Sequence, residues 1–205
     1  VSQEEVELAI DRILGMIPGW CTPEKAKRMA QLARGASLCV ELGVFGGRGV
    51  WSMALALHDQ GFGRADGVDP FTADAALEGT NDAANADWWG HLDYAVIEQY
   101  ARSFCHMLSP YARLVRATSR AVVSTYVDRT IDVIHQDSNH SEEVSCEEVE
   151  AWLPKVRPGG LWIFDDADWP STQRAQGMLA QRGCALAEDH DRWKVYRTPK
   201  ETVST

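Results

Sequence analysis

Residues 38–58 constrain the fold more tightly than any other stretch. A short apolar run, Leu38-Cys39-Val40-Glu41-Leu42, empties into Gly43-Val44-Phe45-Gly46-Gly47-Arg48-Gly49, and a helical period follows from Val50 to His58. Strand, glycine-rich turn and helix in that order make the first half of a βαβ unit. Glycines at the turn let the backbone bend sharply and bring its N–H groups against a ligand. The alternation continues, with strands expected at 65–68, 113–116, 131–136 and 161–164 and helices at 120–127, 142–153 and 172–182. Strands separated by helices pair in parallel through right-handed crossovers. The last two apolar runs, 184–188 and 192–197, lie too close for a crossover, so the final strand runs antiparallel to its neighbour.

Two segments lie outside this rhythm. Val6, Ile10, Ile13, Leu14 and Ile17 follow a helical period that Pro18-Gly19 stops, and Thr22-Pro23-Glu24 reads as a cap and first turn of a second helix reaching about Arg34. These N-terminal helices, residues 1–35, suit a lid or a subunit contact, which leaves a homo-oligomer open. Residues 70–110 form an insertion, a polar loop (TADAALEGTNDAANAD) followed by a tryptophan-rich helix from about Trp88 to Met107. The 205 residues, 45% apolar, suffice for a single domain spanning 1–205. Its net charge of −10 argues against a nucleic-acid partner. No apolar run approaches the ~18–20 residues of a membrane span, so no membrane partner is expected. The acidic start, VSQEEVELAI, does not read as a secretory signal. Five scattered cysteines without a CxxC suggest a reducing, cytoplasmic setting, with Cys39 and Cys184 as buried fillers. The tail KETVST looks loose.

The glycine spacing separates two nucleotide chemistries. The dinucleotide fingerprint is GxGxxG; here the loop fits (E/D)xGxxxGxG, with Gly43, Gly47 and Gly49 in register after Glu41. Asp69 ends the second strand, where an acid accepts hydrogen bonds from ribose hydroxyls. This loop resembles motif I of S-adenosylmethionine-dependent methyltransferases. The strand pattern resembles their class I sheet: α/β, Rossmann-like, seven-stranded and mostly parallel, with one antiparallel strand near the C-terminus and helices on both faces. The resemblance implies S-adenosylmethionine as cofactor, held by Glu41, Gly43, Phe45, Gly47, Gly49, Asp69 and Pro70. Pro70-Phe71 would wall the adenine, and Thr118 and Ser119 fall where such enzymes contact it. Ser52, one turn into the helix, suits either the methionine carboxylate or a helix surface.

A second constellation follows the fourth and fifth strands. Asp137 ends one and Asp165-Asp166 end the next, so all three carboxylates face the crevice of the glycine loop. Their mutual repulsion would be relieved by an oxygen-seeking divalent cation, Mg²⁺ or Mn²⁺. The arrangement resembles catechol-type metal-dependent O-methyltransferases. It resembles more closely the macrocin-type macrolide-sugar O-methyltransferases and the cephalosporin-hydroxylase-like family, whose HxDxxH and PGGxxxxDD match His135 to His140 and Pro158 to Asp166. That resemblance covers roughly residues 36–170. It implies Asp137, Asp165 and Asp166 as metal ligands, with Asp137 and His140 catalytic and His140 the general base. A histidine where catechol-type enzymes carry a lysine points to a small-molecule hydroxyl acceptor of the saccharide kind.

Simpler readings stand beside these. A DD pair after a strand can cap the next helix, and Asp168 reads as such a cap or a reserve ligand. His135, on an apolar strand, reads as a core histidine. The glutamates between 142 and 150 read as a solvated helix face. Adjacent Trp88 and Trp89 cannot both face one core, so one is expected to line the acceptor pocket. A nicotinamide dehydrogenase has the wrong glycine spacing and lacks its Tyr-xxx-Lys pair here. An N-methyltransferase lacks its (N/D)PP(Y/F) motif, where Asp137-Ser138-Asn139 stands instead. A catechol acceptor and a non-catalytic S-adenosylmethionine-binding module remain the alternatives.

Overall fold

The structure, a computed structural model, describes residues 2–200, so all of the tail except Lys200 lies outside the described residues. Helix α1 (Gln3–Ile13) opens on a capping box in which Ser2 Oγ accepts from the Glu5 N–H and Glu5 Oε2 accepts from the Ser2 N–H at 2.7 Å. One 3₁₀ turn carries it to Met16. Helix α2 (Pro23–Ala33) is capped by Thr22, with proline in its first turn where a missing N–H costs nothing. Then come β1 (Leu38–Leu42), α3 (Arg48–Gln60) and β2 (Arg64–Val68). The 70–110 segment departs from expectation. It holds three helices, α4 (Ala73–Ala76), α5 (Ala83–Gly90) and α6 (Tyr94–Met107), where one long helix from Trp88 was expected. The break has a local cause: α5 ends at Gly90, and the Asp93 carboxylate caps α6 by accepting from the Val96 N–H. Trp88 and Trp89 therefore end a helix and do not begin one.

The chain continues through β3 (Ala112–Val115), a short α7 (Ser119–Val122), β4 (Ile131–Gln136), α8 (Glu142–Trp152), β5 (Val156–Phe164), α9 (Gln173–Gln181), β6 (Ala185–Asp189) and β7 (Lys194–Arg197). Strand β5 starts at Val156, earlier than the expected Leu161. The register against β4 shifts between Ile131 and Val133, and this irregularity absorbs Pro158-Gly159-Gly160 within the strand.

The sheet order is β3-β2-β1-β4-β5-β7-β6. β1 pairs in parallel with both β2 and β4, and β7 lies between β5 and β6, antiparallel to both. This is the Rossmann-like, seven-stranded, mostly parallel sheet expected from the sequence. Alternation along the strands divides the core. Cys39, Val133, Ile163 and Val195 face α1, α2, α3 and α6, where Ile10, Met29, Met53 and Leu57 are fully buried. Val40, Ile134, Trp162 and Phe164 face α8 and α9, with Trp152 and Leu179. By the same alternation Glu41 and His135, which pair across β1 and β4, fall on the first face, beneath α2 and α3. The strand order reverses between β1 and β4, and in open α/β sheets that reversal opens the ligand crevice at the strands' C-terminal ends. Among the described residues, no helix is long and apolar enough to cross a membrane.

Candidate active site

The loop from Gly43 to Gly49 closes one side of the crevice. Gly43 has φ +79°, and a Cβ there would lie 2.1 Å from the Asp137 carbonyl oxygen, so the loops after β1 and β4 can touch only through glycine. Gly47, in the left-handed region, caps α3, and Gly49 packs against the Glu41 carboxyl. Glu41 lies under the loop, facing away from the crevice: Oε2 accepts from the Val50 N–H at 2.7 Å and Oε1 meets His135 Nδ1 at 2.8 Å. Burial pushes the Glu41 carboxyl up to about 8 and drives the His135 imidazole well down, so both favour their uncharged forms. Glu41 thus supports the cofactor loop from below, where the sequence suggested contact with the cofactor. Ser52 is likewise turned away from the crevice: it is fully buried and donates to the Arg48 carbonyl at 2.7 Å, one turn back on its own helix.

Asp69, at the end of β2, accepts from the Val44 N–H at 2.8 Å and the Phe45 N–H at 3.1 Å through Oδ2, and from the Phe71 N–H at 2.7 Å through Oδ1. Burial raises its carboxyl although these three donors oppose the shift. The cleft above it is lined by Gly43, Phe45, Asp69, Pro70, Phe71, Thr118 and Ser119, and continues to Trp89, Asp137, Ser138, Asn139 and His140. Phe45, Phe71 and Asp166, all non-glycine residues, hold φ of 48°, 52° and 43° around this crevice. Such backbone costs on the order of 1–3 kcal/mol per residue and gathers at functional sites.

The insertion is fastened over the cleft by Asn139. Its Nδ2 reaches the carbonyls of Ala75, Ala76 and Glu78 at 3.0, 2.9 and 2.8 Å, while Oδ1 accepts from the Ser141 N–H at 2.8 Å. Of the adjacent tryptophans, Trp89 lines the cleft and Trp88 is 41% exposed beside it. Both join Phe45 and Trp20 in an aromatic shelf, with ring centroids 4.8 Å apart for Trp20–Trp88 and 6.0 Å for Phe45–Trp89. Arg48 fixes the Trp20 loop by donating to the carbonyls of Ile17 and Cys21. Trp20 was not singled out from the sequence; one tryptophan between Gly19 and Cys21 carries no periodic signal.

The three aspartates do not converge as a set. Asp137 and Asp165 adjoin and share a hydrogen bond between their carboxyls. Asp166 instead faces His140 Nε2 at 3.2 Å and Arg192 Nη2 at 3.3 Å. Between Asp137 and Asp165 lies a group the sequence reading passed over: Lys25 of α2, its side chain 4% exposed, with Nζ 2.5 Å from Asp165 Oδ2 and 4.0 Å from Asp137 Oδ2. Burial alone would strip this ammonium of its proton, but Asp137 and Asp165 overcome that and hold it charged. Lys25 in turn overrides burial at Asp165 and keeps it ionised, while burial and Asp165 push Asp137 well up. A periodic signal did exist. Lys25 stands at i−4 from Met29 and i−8 from Ala33, on the face of α2 that is buried.

A divalent cation fits this arrangement poorly. Each expected ligand already has a basic partner, Lys25 for Asp165 and Asp137, and Arg192 with His140 for Asp166. Glu41, His135 and Asp137 do bring one donor atom each within 4.8 Å of one another. Glu41, however, is committed to Val50 and His135, and both it and His135 are buried. Asp168 is exposed and stands apart from the cluster.

His140 lies near the end of the loop between β4 and α8, just before the Ser141 cap, its Nε2 also 3.8 Å from Asp137 Oδ1, and its ring 5.2 Å from that of Trp169. Burial lowers its pKa and Asp166 partly restores it, so the imidazole is neutral near pH 7 and able to accept a proton.

Residues 40–167, more than half of the chain, match the model of a family described as a methyltransferase domain, and the chain belongs to that family. No curated protein matches it. Solved structures similar to it include the O-methyltransferase NovP, at 18% identity over 97% of this chain and 79% of that one, TM-score 0.63. Another is TomG from Streptomyces achromogenes, an O-methyltransferase of tomaymycin synthesis in complex with S-adenosylmethionine, at 15% identity over 96% and 89%, TM-score 0.62. A third is CalS11, a TDP-rhamnose 3'-O-methyltransferase of calicheamicin biosynthesis, at 16% identity over 95% and 93%, TM-score 0.52. At these identities the likeness is one of fold.

Proposed function

We propose that this methyltransferase moves a methyl group from S-adenosylmethionine to a hydroxyl oxygen of a small-molecule acceptor, with His140 as general base. The observation that carries the reading is the placement of His140: a neutral imidazole backed by the Asp166 carboxylate, in the same cleft as the glycine loop and Asp69. Gly43, Phe45, Asp69, Pro70, Thr118 and Ser119 form the cofactor's share of that cleft. Their backbone approach and single acid suit a ribose and its neighbouring groups. When bound, S-adenosylmethionine supplies a methyl group activated on a sulfonium.

The chain's own work is alignment and proton removal. The acceptor oxygen gains the methyl, the electron pair of the broken C–S bond stays on sulfur, and the hydroxyl proton leaves. The neutral His140 imidazole, with the Asp166 carboxylate 3.2 Å from its Nε2, takes that proton, and the carboxylate offsets the charge the ring gains. The aromatic shelf of Trp20, Phe45, Trp88 and Trp89 supports a saccharide or glycosylated acceptor, because sugar rings present C–H faces that lie well on aromatic planes. CalS11, which acts on a TDP-rhamnose, is consistent with that choice. No step here passes through Mg²⁺ or Mn²⁺, since Asp137, Asp165 and Asp166 are not arranged to receive one.

The test is His140→Ala. Its kcat should fall by roughly 10²–10⁴, with S-adenosylhomocysteine affinity by calorimetry nearly unchanged. A variant that keeps its rate removes the base, a wild type that turns over only catechols removes the saccharide class, and the two results together remove both.

A further inference from the structure

The expected metal ligands surround a side chain that is itself a cation. Lys25 arrives from α2, outside the stretch of chain that matches the family model, and is buried to 4% exposure. Its contacts are to Asp165 at 2.5 Å and Asp137 at 4.0 Å. The rest of that helix face is apolar: Ala26, Met29, Ala30 and Ala33 are fully buried. A buried ion pair is a poor way to gain stability, since well-packed apolar residues do as well or better. A lysine at this position therefore needs another reason, and its place among the carboxylates supplies one. An Mg²⁺ ion at its usual ~2.1 Å from Asp165 Oδ2 would lie at most ~4.6 Å from the ammonium, two cations competing for one carboxylate.

We propose that Lys25 is the resident cation of this site, its ammonium standing where a divalent metal would otherwise bridge Asp137 and Asp165, so that the chain works without a metal. The inference rests on the reading of this cleft as the methyl-transfer site, but its decisive measurement does not. Lys25 touches no reacting atom; it is a positioning residue that fixes the two carboxylates beneath the acceptor and keeps other cations out.

Mn²⁺ binding to the whole chain, followed by electron paramagnetic resonance without substrate, tests this directly. The wild type should show no saturable binding at millimolar Mn²⁺. Lys25→Met should gain Mn²⁺ affinity by about 10- to 100-fold, the range over which groups beside a metal site alter its affinity. Lys25→Arg, which keeps the charge, should remain without it. Turnover of the wild type should be indifferent to EDTA, whereas that of Lys25→Met should become stimulated by Mn²⁺. A merely structural lysine would move the melting temperature and leave metal affinity alone. Saturable binding by the wild type, affinity unchanged in Lys25→Met, or wild-type activity lost in EDTA and restored by Mg²⁺ would each overturn the proposal. Should Lys25→Met not fold, the wild-type titration and the Lys25→Arg comparison still decide. S-adenosylhomocysteine binding in the same samples reports separately on the methyltransferase reading.

Discussion

Two glycines with almost the same backbone separate the cost of conformation from the cost of contact. Gly35 has φ +80° and Gly43 has φ +79°. A Cβ on Gly35 would meet nothing within 4 Å, whereas one on Gly43 would lie 2.1 Å from the Asp137 carbonyl oxygen and 2.5 Å from Ser138 Cα. Gly35→Ala should therefore cost only the left-handed conformation, about 1–2 kcal/mol. Gly43→Ala adds a backbone collision that neither partner can evade cheaply, because the Gly43 N–H bonds to the Val68 carbonyl and the Asp137 N–H to the Leu42 carbonyl. Forced shifts in packed regions cost about 1–3 kcal/mol, so the total is roughly 2–5 kcal/mol. Urea unfolding of both variants with equal m-values gives the difference, and in a chain this size each kcal/mol lowers Tm by about 2–4 °C. Gly43→Ala should also weaken S-adenosylhomocysteine binding, while Gly35→Ala should not. If Gly43→Ala proves no less stable than Gly35→Ala, the contact between the β1 and β4 loops is not what the glycine preserves.

Asp69→Ala should weaken S-adenosylhomocysteine by ~1–3 kcal/mol in calorimetry. It should also lower Tm, because the Val44, Phe45 and Phe71 N–H groups lose their acceptor. Glu188 of β6 pairs with Arg28 of α2, and the Arg28 hydrogen bond holds its carboxyl at about 2. A depressed folded-state value gives stability that is present above the unfolded value near ~4.3 and lost as pH falls toward 2. With Arg28 38% exposed, solvent screening limits the effect to about 1 kcal/mol. Glu188→Gln should thus lower the urea midpoint at pH 7 and match the wild type as the pH approaches 2.

Much of the scaffold was legible because its signals are local. Leu38–Leu42 and Ile131–Gln136 are bounded by turn residues and match the structure residue for residue. The short gap before the final strand announced its antiparallel course. Where a boundary depends on tertiary pairing, the reading slipped. β5 runs through Pro158-Gly159-Gly160 because β4 shifts register to accept it. The carboxylates could be placed at strand ends, but not their partners. Whether Asp166 turns to Asp165 or to His140 depends on a left-handed backbone at one residue. Lys25 stands 112 positions before Asp137 and 140 before Asp165, and only folding brings α2 over the ends of β4 and β5.

Asn139 gives the cleft a mechanical property. Its amide holds the carbonyls of Ala75, Ala76 and Glu78, and its neighbour in the chain is His140. Residues 75–78, which border the cleft, are therefore tied to the strip of backbone that carries His140. Swinging residues 75–78 outward must either break this attachment or drag residue 139 with them and tilt the imidazole off the Asp166 carboxylate.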